Sequence, residues 1–235
     1  MGSADKETSL LRGPMGPRGE RGPAGIDGVQ GVDGAPGADG APAIAISIPS
    51  SGWAWVNQGS ATLSTNASKD VGSLYLRAPV VGGDSLRIRV RSLPAGKTAI
   101  VCFRPYIQPV AGGAPSAGIC WRESSSGKLS VLSLVRNPAP PCDPGLYLPK
   151  YTNETSWFAN YSPPNTDAKV HSDRYWMKMQ DDGANRIFSL SVDGENFHAY
   201  HSVGRTDFLT ADQFGFFANS NSFEAGIQIL RWEES

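Results

Sequence analysis

The sequence predicts two architectures in one chain, a triple-helical rod near the N-terminus followed by an all-β antiparallel sandwich. Two observations predict this. Glycine occupies every third position from Gly13 to Gly40 without a break. Beyond the repeat, short stretches of alternating apolar and polar residues recur between turn residues, and no helical period of any length appears.

The rod comes first because its rule is strictest. Gly13, Gly16, Gly19, Gly22, Gly25, Gly28, Gly31, Gly34, Gly37 and Gly40 open ten consecutive Gly-X-Y triplets. A collagen triple helix winds three polyproline-II-like chains around an axis so crowded that only a residue without a side chain fits there, which demands period three. Pro14, Pro17, Pro23, Pro36 and Pro42 pre-set the backbone angle that this helix uses. A flexible Gly/Pro linker has no reason to hold phase over so many repeats. The glycines are therefore trimerisation positions and the chain is expected to be a homotrimer. Arg18, Glu20 and Arg21 place opposite charges around Gly19, where the stagger of three chains can pair them. Asp27, Asp33 and Asp39 have no basic neighbour, so the second half of the rod is the looser one. At ~3 Å per residue, the segment 13–42 makes a rod on the order of 90 Å. The glycine due at position 43 is Ala43, and the rod ends there.

Residues 1–12 are polar apart from Leu10 and Leu11 and read as a tail, either disordered or ordered on docking to a larger assembly. Residues 43–235 are long enough for one large β domain. Within them, residues 44–48 are small and β-branched and are expected to form a first strand with an axial role in the trimer. The 27 glycines and 18 prolines are concentrated toward the N-terminus, so averaged composition describes neither half. A formal net charge of −1 argues against nucleic acid and against a basic membrane-surface binder. No apolar run approaches the ~20 residues of a membrane span, and no membrane insertion is expected. The N-terminus shows no apolar core of a secretory signal, and three cysteines, Cys102, Cys120 and Cys142, cannot all pair internally. Both fit assembly in a reducing bacterial cytoplasm.

The strands follow in order: 73–77, 86–92, 98–107, 117–123, 128–135, 174–180, 186–192, 196–203, 213–219 and 224–232. In 86–92, Leu86, Ile88 and Val90 alternate with Arg87, Arg89 and Arg91, the pattern of a half-buried strand. Ser124 to Gly127, Asp181 to Asn185, and Asp193 with Gly194 carry hairpin-turn chemistry. Ten or more strands with two faces to bury make a closed antiparallel sandwich.

The stretch WMKMQDDGANRIFSLSVDGENFHAYHSVGRTDFLTADQFGFFA, with the upstream GICWRESSSGKLSVLSL, resembles concanavalin-like jelly-roll sandwiches of the laminin-G type. The resemblance covers most of residues 50–235. A collagen repeat joined to such a head resembles fibre, tail and head-decoration proteins of tailed bacteriophages and prophages. It implies a homotrimeric virion appendage that is held to other virion proteins by its N-terminus. Its head would bind a bacterial cell-surface glycan. Alternative readings are a structural capsid decoration or head fibre with weak adhesion, a bacterial collagen-like surface adhesin, and a glycan depolymerase.

Site candidates are few. Trp157, Phe158 and Tyr161 lie among Asn153, Asn160 and Ser162 in a segment that reads as a long loop, and mixed aromatic and amide groups suit an adaptable glycan surface. Trp176 and Trp232 lie in clear strands and are expected in the core. Asp181, Asp182 and Asn185 lack the spacing of a calcium loop and read as a turn, so no metal or cofactor is predicted. Ser191, Val192, Asp193 and Gly194 resemble the Asp-box turn of sialidase repeats, but one residue is missing, which leaves a structural turn. His198 and His201 differ by three positions and are expected on opposite faces of their strand, with no zinc spacing around either. No nucleophile elbow, phosphate loop or evident carboxylate pair appears, and the expectation is a binding protein rather than an enzyme.

Overall fold

The structure is a computed structural model and describes residues 15–24, 48–49, 51–66, 72–93, 96–108, 113–136, 144–161 and 172–235. The chain divides into two compact units, Met1–Pro42 and Ala43–Ser235. In the first, residues 15–24 are exposed and carry neither helix nor strand. A Cβ added at Gly16, Gly19 or Gly22 would meet nothing within 4 Å in the single chain. The remaining predicted axial glycines, residues 44–47, His171 and Cys142 lie outside the described residues.

The second unit is an all-β antiparallel sandwich. Its strands are β1 (Ala54–Val56), β2 (Thr62–Asn66), β3 (Ser73–Ala78), β4 (Leu86–Ser92), β5 (Thr98–Ile107), β6 (Ser116–Arg122), β7 (Leu129–Arg136), β8 (Pro144–Tyr147), β9 (Pro149–Asn153), β10 (Ser156–Asn160), β11 (Tyr175–Asp181), β12 (Asn185–Ser191), β13 (His198–Gly204), β14 (Gln213–Asn219) and β15 (Ala225–Glu234). One sheet has the order β1-β4-β14-β6-β7-β9-β10, with β8 also paired to β7, and the other has the order β13-β12-β11-β5-β15-β3-β2. The core between them holds Phe103, Trp121, Met177, Met179, Phe188, Phe214, Phe216, Ile227, Ile229 and Trp232. Phe214 stacks on Trp232 at 5.5 Å, and Trp53 meets Trp232 edge-on at 4.8 Å.

The ten predicted strands are present, with ends that differ by at most two residues. Beyond them the structure adds β1, β2, β8, β9 and β10, which are short or interrupted by polar residues. The predicted turns hold as well. Asp182 Oδ1 accepts from Ala184 N (2.9 Å) and Asn185 N (2.6 Å), while Asp193 Oδ1 accepts from Glu195 N (2.9 Å) and Asn196 N (2.8 Å). The Asn196 side chain, with its backbone N–H, the Ser191 hydroxyl and the Glu195 N–H, holds the Asp193 carboxyl well below the usual carboxylate range. Cys102 and Cys120 are free and buried, and burial pushes their thiols up to about 11 and about 12.

Three expectations are corrected. Strand β4 is not half-buried in the ordinary sense. Its arginines sit on the core side of the sheet, because Arg89 pairs with Phe216 and Arg87 with Ala218, which are core residues. Their charges are satisfied by the incoming chain: Arg87 Nη1 donates to Asn57 O (2.8 Å) and Oδ1 (2.9 Å), Arg89 Nη2 to Trp53 O (3.2 Å), and Arg91 Nη1 to Ser51 O (2.8 Å). Arg89 also lies over the Trp55 ring and Arg91 over that of Trp53. Trp176 is not a core residue. It faces outward on β11, where Gly194 leaves room for its ring and Arg231 lies 5.4 Å from its centroid. Finally, His198 and His201 share one face. A bulge at Tyr200 pairs His201 with Phe188 and His198 with Leu190, two residues on the same side of β12, because an extra residue resets the period of two.

Candidate functional site

The segment that reads as a loop in the sequence is the β9–β10 hairpin, and this changes what its side chains can do. Strand β9 stays paired with β7 for only two positions, Leu129 with Tyr151 and Ser130 with Lys150. Its turn then bridges to other strands. Glu154 O accepts from Leu86 N on β4 (2.9 Å), and the Glu154 carboxylate pairs with Arg122 on β6 (3.1 Å). Beneath the hairpin, Tyr151 joins Leu86, Ile88, Val90, Cys120, Leu129, Val131 and Phe217 in a second apolar cluster on the outer side of the sheet. Burial in that cluster pushes the Tyr151 hydroxyl upward from its ordinary value. The hairpin is thus fixed on an apolar bed, which makes it a rigid support for the residues on its edge strand.

Register shifts on both sides of Trp157 interrupt the alternation of β10, and the hairpin separates the predicted ligand residues into two groups. Trp157 is 54% exposed and its Nε1 donates weakly to Asn160 Oδ1 at 3.4 Å. Together they line a groove of about 250 Å³ whose other walls include Asp84, Ser116, Ser133, Tyr147 and Asn221. Asp84 Oδ1 accepts from Asn219 Nδ2 (2.8 Å) and Asn221 Nδ2 (2.7 Å). Asn221 itself has a left-handed backbone with φ of 34°, which an asparagine tolerates better than most residues. The groove therefore offers an exposed indole, the rings of Tyr147 and Tyr151, one carboxylate and several amide and hydroxyl groups.

Phe158 lies on the other side of the hairpin, 55% exposed and stacked on Phe208 at 5.5 Å. Tyr161 follows it inward and is buried, with its ring 4.5 Å from that of His201. Asn153 is used by the hairpin turn, where its Oδ1 accepts from Thr155 N and Oγ1 at 3.0 Å each. Of the five predicted residues, Trp157 and Asn160 share the groove, Phe158 and Tyr161 share the opposite side, and Asn153 holds the turn. Asp84, Tyr147 and Asn221 had no sequence signal, since they come from two connections and the end of β8 and meet only through the strand order.

A larger hollow of about 620 Å³ lies on the outer face of the other sheet, lined by Tyr75, Tyr106, Asp173 and Glu224. Its polar groups are occupied by one another: Arg77 pairs with Glu224, Arg104 with Asp173 (3.0 Å), and Tyr106 Oη donates to Gln228 Oε1 (3.1 Å). The smaller groove is the candidate site because it brings together two of the predicted ligand residues, Trp157 and Asn160.

No protein-family model matches the chain, and no curated protein matches it. Solved structures share its fold. A functionally unknown protein from Saccharomyces cerevisiae aligns with 78% of this chain and 96% of its own at 13% identity, with a TM-score of 0.53. The GH43 BlXynB protein from Bacillus licheniformis aligns with 78% of this chain at 16% identity and a TM-score of 0.50, and this chain covers 36% of that one. At such identities the likeness establishes the jelly-roll sandwich and nothing finer.

Proposed function

We propose that the protein is the subunit of a homotrimeric virion appendage, docked to other virion proteins by residues 1–12, whose rod of Gly-X-Y triplets presents sandwich heads that bind a glycan on the bacterial surface. The observation that carries the reading is the groove beside Trp157. An indole face matches the apolar face of a pyranose, and Asn160, Asp84 and Asn221 supply the hydrogen-bonding groups that would fix its hydroxyls. Binding rather than cleavage suits this groove, because Asp84 is the one carboxylate among its described lining residues and glycoside hydrolysis ordinarily uses two. The unbroken phase of the repeat supports the trimer. Three modest sites on one rod gain avidity on a densely glycosylated surface.

The test is binding of the labelled full chain to bacterial cells and to their purified surface glycans. Trp157→Ala is expected to weaken saturable binding about tenfold or more, since stacking and the hydrogen bonds it orients are lost together. Asn160→Ala should weaken it less. Saturable binding that both variants retain unchanged would remove the groove from the mechanism, and no binding to any surface would overturn the receptor-binding function.

A further inference from the structure

The side of the hairpin opposite the groove carries a different chemistry. Lys150 places its ammonium 4.4 Å from the Tyr161 ring centroid, 5.5 Å from that of Phe208 and 5.9 Å from that of Phe158. Lys128 reaches Phe208 from another direction at 5.3 Å. Aromatic rings hold an ammonium in place without neutralising it, and neither lysine forms an ion pair with a described carboxylate. Phe208, which completes the box, has a left-handed backbone with φ of 64°, a strained conformation for a bulky residue that its surroundings must enforce.

Beneath this rim the cationic character continues into the protein. Arg186 on β12 is 1% exposed, and its Nε and Nη1 have no hydrogen-bond partner. Only Nη2 is used, on the carbonyl of Asp207. The neighbouring carboxylate of Asp181 is committed elsewhere, accepting from Arg205 Nε (2.8 Å) and Gly183 N (2.9 Å). Tyr161 Oη and His201 Nε2 are likewise buried without a well-formed hydrogen bond, although the Tyr161 hydroxyl sits beside both Arg186 and Ser130. Buried polar groups of this kind are nearly always satisfied in folded proteins, and a cluster of them beneath a half-buried lysine marks a place where an acceptor arrives.

We propose that the rim formed by Lys150, Phe158 and Phe208, backed by Arg186, is a second binding site that takes the carboxylate of an acidic polysaccharide. The exposed face of Phe158 receives the sugar ring, and Lys150 meets the uronate oxygens at its edge. Arg186 keeps the site electropositive from below. This goes beyond the groove reading and does not require it, since the two sites lie on opposite sides of the hairpin.

The experiment compares binding of the full chain to polygalacturonate and to the same polymer after reduction of its carboxyl groups, with alginate and hyaluronate as further acidic probes. An acidic polymer should bind in a salt-sensitive manner. Its affinity should fall about tenfold in Lys150→Met, which keeps the stem and removes the charge, and by a similar factor in Phe158→Ala. In Trp157→Ala the preference for the acidic over the reduced polymer should persist, whereas Lys150→Met should abolish it, so failure of this site and failure of the groove are read separately. Equal binding of the acidic and reduced polymers, retention of affinity in Lys150→Met, or no binding to any of the three acidic polymers would overturn the proposal. Because Arg186→Met alters a buried position and can simply unfold the head, Lys150→Met at the surface is the deciding variant.

Discussion

His201 shows how a single side chain feels the environment described above. Burial holds its imidazole below the ordinary histidine value, and Arg186 and Lys150 push in the same direction against the opposing pull of Asp207. The folded protein therefore resists a proton that the unfolded chain accepts freely. The stability contributed by the neutral imidazole is complete above about pH 6.5 and is lost as pH falls through that value toward the depressed folded pKa. Melting temperature is expected to fall between about pH 7.5 and about pH 5.5, and to fall less in His201→Gln. The carboxylates held low by their partners, Asp173 through Arg104 and Glu224 through Arg77, act at more acid pH and leave this window clear. An identical pH slope in the variant would show that His201 does not feel the buried cluster.

Strand β14 shows what an element imposes on its residues. It lies between β4 and β6, and its glycine at 215 is opposite Val90 on one side and Cys120 on the other. A Cβ there would stand 1.9 Å from the carbonyl oxygen of Arg89, so Gly215→Ala must push the strands apart. The expected loss of stability is about 3 kcal/mol or more, measured by urea denaturation, with the apolar bed beneath Tyr151 disturbed at the same time. The same alanine at Gly183 would meet no neighbouring atom and should cost only the strain of its positive φ, 91°. A near-equal cost at both positions would mean that close approach of the strands is not what holds glycine at 215. The β9–β10 hairpin makes a related point. Its sequence is polar and aromatic in no clean alternation, which reads as a loop, and it becomes a strand pair because Tyr151 and Glu154 find partners on β7, β4 and β6.

At the scale of the whole molecule, the prediction is the assembly. Full-length chain is expected to sediment as a trimer, and Gly22→Glu should lower the melting temperature of the rod, because a side chain at the axis cannot be accommodated. The head should keep its fold in that variant, and avidity for a glycan-coated surface should drop toward that of a single site. Sedimentation of the unaltered chain as a monomer would remove the trimeric appendage from the proposal while leaving both glycan sites to be judged on their own tests.

The strands of the head and its tight turns were legible because each depends on residues close together in sequence. A glycine every third residue, alternation through 86–92 and Asp-Gly turns are local rules that hold wherever the segment ends up. The binding surfaces were legible only in fragments. Trp157 and Phe158 stood out as aromatic residues among amides, but they fall on opposite sides of a hairpin whose register shifts around Trp157, and this divided one expected site into two. Asp84, Asn221, Lys150, Phe208 and Arg186 carried no signal, since their meaning comes from a strand order that sets β14 against β4 and β6 and brings β10 beside the connection that follows β13. The sequence by itself determined the period-three glycine repeat and the two-sided β pattern, through sterics acting over a few residues. Which side chains converge, and which of their charges stay unpaired, was decided by the tertiary structure, because long-range strand pairing alone sets those distances.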